Sequence, residues 1–192
     1  MKRLANLIGG EWLPPQDGQY FDDHNPATGA KIAEIPSSTA DDIEAAVAAA
    51  RATQPAWGAL LPGERADWLE RIADALEARS AEIAELESRD TGKPVALARA
   101  VDAARSVLNF RFFAELGREL PDEQYLMEDA LNVVVHKPVG VAGLITPWNL
   151  PLYLLAWKVA PAILMGNTVV AKPSRLTPLT ANLLAEIVTE AG

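Results

Sequence analysis

Two short segments hold most of the residue types that can do chemistry in this chain. The first is Thr146-Pro147-Trp148-Asn149-Leu150-Pro151. A side-chain amide held rigidly among proline and apolar residues is a good donor for a developing negative oxygen, and such donors contribute roughly 3 kcal/mol to a transition state. The same asparagine could instead cap the next helix, or satisfy loop backbone. The second segment is Lys172-Pro173-Ser174-Arg175. Lys172 is a lone cation directly after an apolar run, suited to a nucleotide's ribose hydroxyl or phosphate. Its other reading is a surface lysine snorkelling from a strand end. Trp148 and Trp157 could line a pocket or tunnel, or could be plain core aromatics. Neither Gly-x-Gly-x-x-Gly nor the Gly-x-x-x-x-Gly-Lys-Ser/Thr phosphate cradle occurs, and no serine or cysteine stands in a nucleophile motif. The only histidines, His24 and His136, are far apart, and there is no cysteine. A zinc site would need carboxylates from several distant places, so no metal is expected.

The elements around these segments follow from pattern. Turn formers such as Gly9-Gly10, Pro14-Pro15 and Asn25 to Gly29 space out β-prone runs, which predicts strands near Leu7–Ile8 and Ala30–Ile35. Thr39 followed by Asp42 has the form of a capped helix start, with Ile43, Val47 and Ala50 at helical spacing. A second helix after Pro62-Gly63 carries Trp68, Leu69, Ile72 and Leu76 on its buried stripe. A third carries Ile83 and Leu86, and ends where Gly92 can turn left-handed and Pro94 blocks continuation. A fourth is predicted from Val95 to Leu116, with Val101, Leu108 and Phe112 inward and Gly117 after it. Leu131–His136 and Val141–Ile145 read as strands. An apolar helix to about Met165 comes next, then a buried strand over Thr168–Ala171. Thr177-Pro178 caps the last helix, with proline at its first turn and Leu179, Leu183, Ile187 and Val188 inward. Strand, loop, helix, strand, loop, helix is the signature of a parallel α/β sheet with right-handed crossovers. In such sheets ligands bind outside the carboxyl ends of the strands. Both chemistry-bearing segments fall there.

Bulk properties narrow the classes. The 192 residues are 49% hydrophobic and 22% charged, which suits a folded domain or a piece of a larger one. A net charge of −9 repels phosphate backbones and anionic lipid heads, so no nucleic acid or membrane partner is expected. Residues 138–157 are free of charge over the length of a spanning helix, but Pro147 and Pro151 each cost about 3 kcal/mol inside one. The N-terminal apolar stretch is too short for a secretory signal, and a cytoplasmic location is expected.

The run from Pro138 to Leu152, with Thr146-Pro-Trp-Asn, resembles the loop that introduces the active site in the aldehyde dehydrogenase superfamily. Trp157-Lys-Val-Ala-Pro-Ala and Gly166-Asn-Thr-Val-Val-Ala-Lys-Pro-Ser come after it at that family's spacing, and Asn25-Pro-Ala-Thr-Gly, Glu64-Arg65 and Asp90-Thr-Gly-Lys-Pro precede in its order. The resemblance covers essentially the whole chain. It implies an α/β fold: helices plus the first strands of a doubly wound parallel sheet, incomplete. Residues 1–192 would be part of an NAD(P)-binding domain, with a bridging β-hairpin near 121–140 and no catalytic domain. It implies NAD- or NADP-dependent oxidation of a small-molecule aldehyde to an acid, in a homo-oligomer (dimer or tetramer) when full length. Asn149 would donate to the oxyanion. Ile145, Thr146, Pro147 and Trp148 would line the cofactor cleft, Lys172 would contact the adenosine ribose, and Ser174 would lie nearby. Leu150, Tyr153 and Trp157 would line the substrate tunnel. Arg175 stands where the family usually has a glutamate accepting from ribose hydroxyls. Arginine has no acceptor and could pair with a 2′-phosphate instead, favouring NADP. The family's nucleophilic cysteine and general-base glutamate lie beyond these residues, so the isolated chain is expected to be inactive. The alternative is a non-catalytic chain acting by association with a full-length subunit. The loop from Pro147 to Lys158 looks most like the branch acting on muconic semialdehydes.

Overall fold

The computed structural model describes residues 2–119 and 123–192. Its N-terminal part is a layer of short strands. β1 (Lys2–Arg3) pairs parallel with β5 (Lys31–Pro36), which pairs antiparallel with β4 (Tyr20–His24). β2 (Asn6–Ile8) and β3 (Glu11–Leu13) form a hairpin. Gly9 and Gly10 both have positive φ at its tip, the conformation a two-residue hairpin turn demands. β3 and β4 stand in stretches the sequence reads as loop. The adjacent Pro14-Pro15 and the polar run Asp22-Asp23-His24 hide them, since neither looks like a β-former.

Three helices come next: α1 (Ala40–Ala59), α2 (Pro62–Ala78) and α3 (Ser80–Thr91). The start of α1 is as expected. The Asp42 carboxylate accepts from the Thr39 backbone N–H at 2.8 Å, and also from Gln16 N–H at 3.1 Å, tying the strand layer to the helix. Gly92 ends α3 at φ +77°. Then α4 (Val95–Ala98), a single π-helical turn over Arg99–Ala103, and α5 (Ala104–Glu119) run on without a break.

The main core joins α2, α5, α6 (Pro151–Leu164) and α7 (Leu179–Ala191) through Leu69, Ile72, Leu76, Phe110, Leu152, Leu183 and Ile187. Here the expected inner face of the fourth helix is corrected. Leu108 and Phe112 are 61% and 59% exposed, and the buried side carries Ala103, Val107, Phe110, Ala114 and Gly117. Close helix packing selects small residues, so the largest apolar side chains do not mark the contact. The extra residue of the π turn also rotates α4 against α5. Gly117 is therefore not a terminator: the helix runs through it to Glu119, and Leu164 and Ala66 pack against its Cα. Ile43 and Val188 likewise face outward, at 44% and 38% exposure.

β8 (Val141–Ile145) and β9 (Thr168–Lys172) pair parallel, with α6 as the crossover. α1 lies against this pair, its Ala50 carbonyl accepting from the Thr168 hydroxyl at 2.8 Å. β9 is only half-buried and opens at Ala171, a correction to the expected buried strand. Both α1 and α6 pack against this pair of strands. β6 (Glu123–Leu126) and β7 (Leu131–Val134) form a separate antiparallel hairpin, exposed along its length. Residues 121 and 122 of the expected hairpin segment lie outside the described residues. No helix among the described residues is long and apolar enough to cross a membrane.

Candidate active site

β8 and β9 end side by side, with Ile145 opposite Lys172. The Thr146 N–H donates to the Lys172 carbonyl at 3.2 Å, so the two loops leave the sheet together. Lys158, about two turns into α6, donates to the Ile145 carbonyl at 2.5 Å. Ile145, Thr146, Pro147 and Trp148 thus share one end of the sheet with Lys172, Ser174 and Arg175. Thr146 is buried, and its hydroxyl has no partner among the described residues. Lys172 is exposed and, among the described residues, reaches only its neighbour's carbonyl, on Pro173, at 3.1 Å. The Ser174 hydroxyl accepts from Leu176 N–H at 3.2 Å, shaping the loop, and Arg175 is exposed beside it.

Asn149 is exposed at the entrance to α6. The residue in the capping position is Leu150, and no side chain caps that helix. Capping therefore does not occupy the Asn149 amide, which donates to no acceptor among the described residues. Its loop is tethered through the backbone instead: the Trp148 carbonyl accepts from the Thr177 hydroxyl at 3.4 Å, and the Asn149 carbonyl from Lys93 Nζ at 3.4 Å.

Leu150, Tyr153 and Trp157 lie at the start and on the first turns of α6. Tyr153 and Trp157 are four apart on one face, with ring centroids 6.2 Å apart, edge to face. Trp148 and Trp157 are 60% and 48% exposed, so neither is a plain core aromatic. Arg105, from α5, donates to the Tyr153 hydroxyl at 3.2 Å and lies 5.7 Å from its ring centroid. Trp157 first, and then Arg105, hold the Tyr153 phenol below its usual range.

Sequence reasoning missed several neighbours. Lys93 was legible only as part of a helix-stopping Gly-Lys-Pro, and Arg105 as one charge on a helix. Behind the loop, Asp23, Glu87, Asp90 and Asp102 are all buried. Burial pushes Glu87 up to about 7 and Asp90 up to about 8. Burial also raises Asp23, which faces Asp90, and their oxygens Oδ2 and Oδ1 have no other partner among the described residues. Asp90 Oδ2 accepts from Leu179 N–H at 2.8 Å, so α7 is capped by a carboxyl from α3 rather than by Thr177. A cleft of about 260 Å³ beside Trp148 is lined by His24, Pro26, Asp90, Thr91, Leu176 and Thr177. Among the described residues no cluster of His, Asp or Glu is arranged to hold a metal ion.

The sequence model of the aldehyde dehydrogenase family matches residues 12–192. This chain belongs to the aldehyde dehydrogenase family. Among its relatives, the mouse 2-aminomuconic semialdehyde dehydrogenase is 49% identical over 191 residues, covering 98% of this chain and 39% of that protein. The 2-hydroxymuconic semialdehyde dehydrogenase of Pseudomonas sp. (strain CF600) is 44% identical, covering 100% of this chain and 41% of that protein. The NAD+ complex of the Bacillus cereus aldehyde dehydrogenase superposes with a TM-score of 0.95 at 36% identity, over 99% of this chain and 39% of that one. The chain thus spans about two fifths of the length of these relatives.

Proposed function

We infer that this chain supplies the oxyanion-donor loop and the adenosine side of the dinucleotide cleft of an NAD(P)-dependent enzyme that oxidises an aldehyde to a carboxylic acid. One observation carries this reading. The Asn149 amide is exposed, is not spent on capping α6, and sits on a loop tethered at the carboxyl ends of two parallel strands. That is where an open α/β sheet binds ligands, and a fixed amide there costs no reorganisation when negative charge develops. Residues 1–192 form part of a dinucleotide-binding domain in this reading, with the β6–β7 hairpin as a bridging segment.

The residues present fit a dinucleotide. Lys172, Ser174 and Arg175 gather at the end of β9, and the Thr146 hydroxyl at the end of β8 has no other partner among the described residues. When bound, NAD(P) supplies the hydride acceptor. Lys172 would hold the adenosine ribose and Arg175 a 2′-phosphate. The nucleophile must come from outside these residues, because the chain contains no cysteine. By itself the chain is inactive in this reading. Leu150, Tyr153 and Trp157 form the wall of the substrate tunnel.

The substrate class we infer is a carboxylate-bearing semialdehyde. Muconic semialdehyde dehydrogenases stand among the relatives. Arg105 places a guanidinium against Tyr153, where it can meet a carboxylate at the far end of a short substrate. A homo-oligomer is favoured by the apolar residues the chain leaves outside, among them Leu126 at 85% and Val139 at 97% exposure.

The test is made on the complete enzyme. Asn149→Ala is expected to lower kcat by about 100- to 1000-fold, with KM for the dinucleotide little changed. A kcat equal to wild type would sink the reading. Arg175→Glu is expected to shift kcat/KM toward NAD over NADP; an unchanged ratio would remove Arg175 from cofactor choice.

A further inference from the structure

Lys93 makes contacts that the oxyanion reading does not use. Its ammonium lies 2.8 and 2.9 Å from the two carboxylate oxygens of Asp102, and 3.4 Å from the backbone carbonyl of Asn149. The Asp102 side chain is fully buried and that of Lys93 is 13% exposed. Net stability is a poor account of such a pair, because desolvation offsets most of the attraction. Helix electrostatics does not explain it either. A cation beside the N-terminal end of α6 is opposed by the helix dipole, and only Asp102 makes the placement tolerable.

The backbone around the pair is specialised. Asp102 sits in the π turn Arg99–Ala103, a one-turn irregularity in an otherwise continuous helix. Single π turns are irregularities that recur at functional sites. The extra residue shifts the facing of the turn by about 100° relative to a regular α-helix, which brings the carboxylate to Lys93. Lys93 is fixed at its own backbone as well. Its carbonyl accepts from the Ser88 hydroxyl at 2.7 Å, and its N–H donates to Thr91 Oγ1 at 3.4 Å, directly after left-handed Gly92. Two irregular backbone features, from α3 and from the π turn, therefore converge on one ammonium and aim it at Asn149.

We propose that Lys93 and Asp102 are a positioning pair: through the Asn149 carbonyl they fix the direction of the Asn149 amide toward the oxyanion. The proposal rests on the oxyanion-donor reading of Asn149. The other tethers of the loop act on Thr146 and Trp148. Lys93 acts on the residue that carries the amide, and a small displacement of a preorganised donor is enough to lower a rate.

A double-mutant cycle in the complete enzyme tests this. Lys93→Gln, Asn149→Ala and the double variant are compared by kcat, KM and melting temperature. Lys93→Gln is expected to lower kcat by about 10- to 100-fold with KM for the dinucleotide unchanged. In the Asn149→Ala background the same substitution should change kcat less than twofold, about the limit of the assay, because the group through which it acts is gone. A merely structural lysine would lower both backgrounds by the same factor, and that result overturns the proposal. So does a normal kcat in Lys93→Gln alongside the expected loss in Asn149→Ala. A normal kcat in Asn149→Ala overturns the oxyanion reading, and the proposal with it. If Lys93→Gln loses its cooperative melt, the cycle is run with Lys93→Arg. The planar fork of arginine takes both Asp102 oxygens but cannot reproduce the compact charge that also meets the Asn149 carbonyl. The same pattern is expected, and equal losses in the two backgrounds, or no loss, overturn the proposal.

Discussion

Replacing Glu87 by glutamine removes one buried ionisation and almost nothing else. Glu87 lies on α3 with no exposed surface, and neither carboxylate oxygen has a partner among the described residues. Burial is the main reason its value rises from 4.5 to about 7; Thr180 and Lys93 oppose the rise, and Asp102 adds to it. The folded value lies above the ordinary one, so the fold favours the protonated form. The stabilising contribution is complete below the ordinary carboxylate range and is lost as pH climbs through about 7. At about 1.4 kcal/mol per unit, the loss between roughly pH 5.5 and pH 8 comes to about 2 kcal/mol. Glutamine has nearly the same shape and no proton to lose. The stability gap between Glu87→Gln and wild type should therefore widen in the variant's favour by about 2 kcal/mol over that range. For a chain of this size that is roughly 4–8 °C in melting temperature. Thermal melts followed by circular dichroism at a series of pH values give the gap directly. Asp23 rises for reasons that do not involve Glu87 and cancels in the difference, whereas the Glu87 charge adds to the rise of Asp90, so Asp90 ionises more readily in the variant and widens the gap in the same direction. A gap that stays constant with pH, or narrows toward alkaline pH, would refute the burial argument.

Two packing sites offer further checks. Gly117→Ala would drive a methyl group into Leu164, which is itself buried, so melting should report a loss of about 1–3 kcal/mol despite the better helix propensity of alanine. Arg65 is 7% exposed and donates to the carbonyls of Leu164, Leu60 and Gly58, closing the C-terminal ends of α6 and α1. Arg65→Met leaves those acceptors unpaired, and denaturant titration should show a loss of about 3 kcal/mol.

Local chemistry carried much of the fold on its own. The Thr39–Asp42 cap, the left-handed Gly92 and the strand–loop–helix repeat from Val141 onward are short-range consequences of residue type, and they stand where the pattern puts them. The two loops at the strand ends were equally legible, because a proline-framed asparagine and a lone lysine after apolar runs are conspicuous in sequence. Tertiary structure decided which faces meet. Leu108 and Phe112 have helical spacing, yet the close approach of α5 to α2 and α6 needs Ala114 and Gly117 on the inside, and no pattern of large side chains can show that. It also decided the surroundings of the site. Asp90 caps a helix 89 residues away, and Lys93 reaches Asn149 across 56 residues of chain. The shifts of Glu87 and Asp90 arise from burial among distant neighbours. A sequence lists its charges, but only packing removes the water that would otherwise make those charges ordinary.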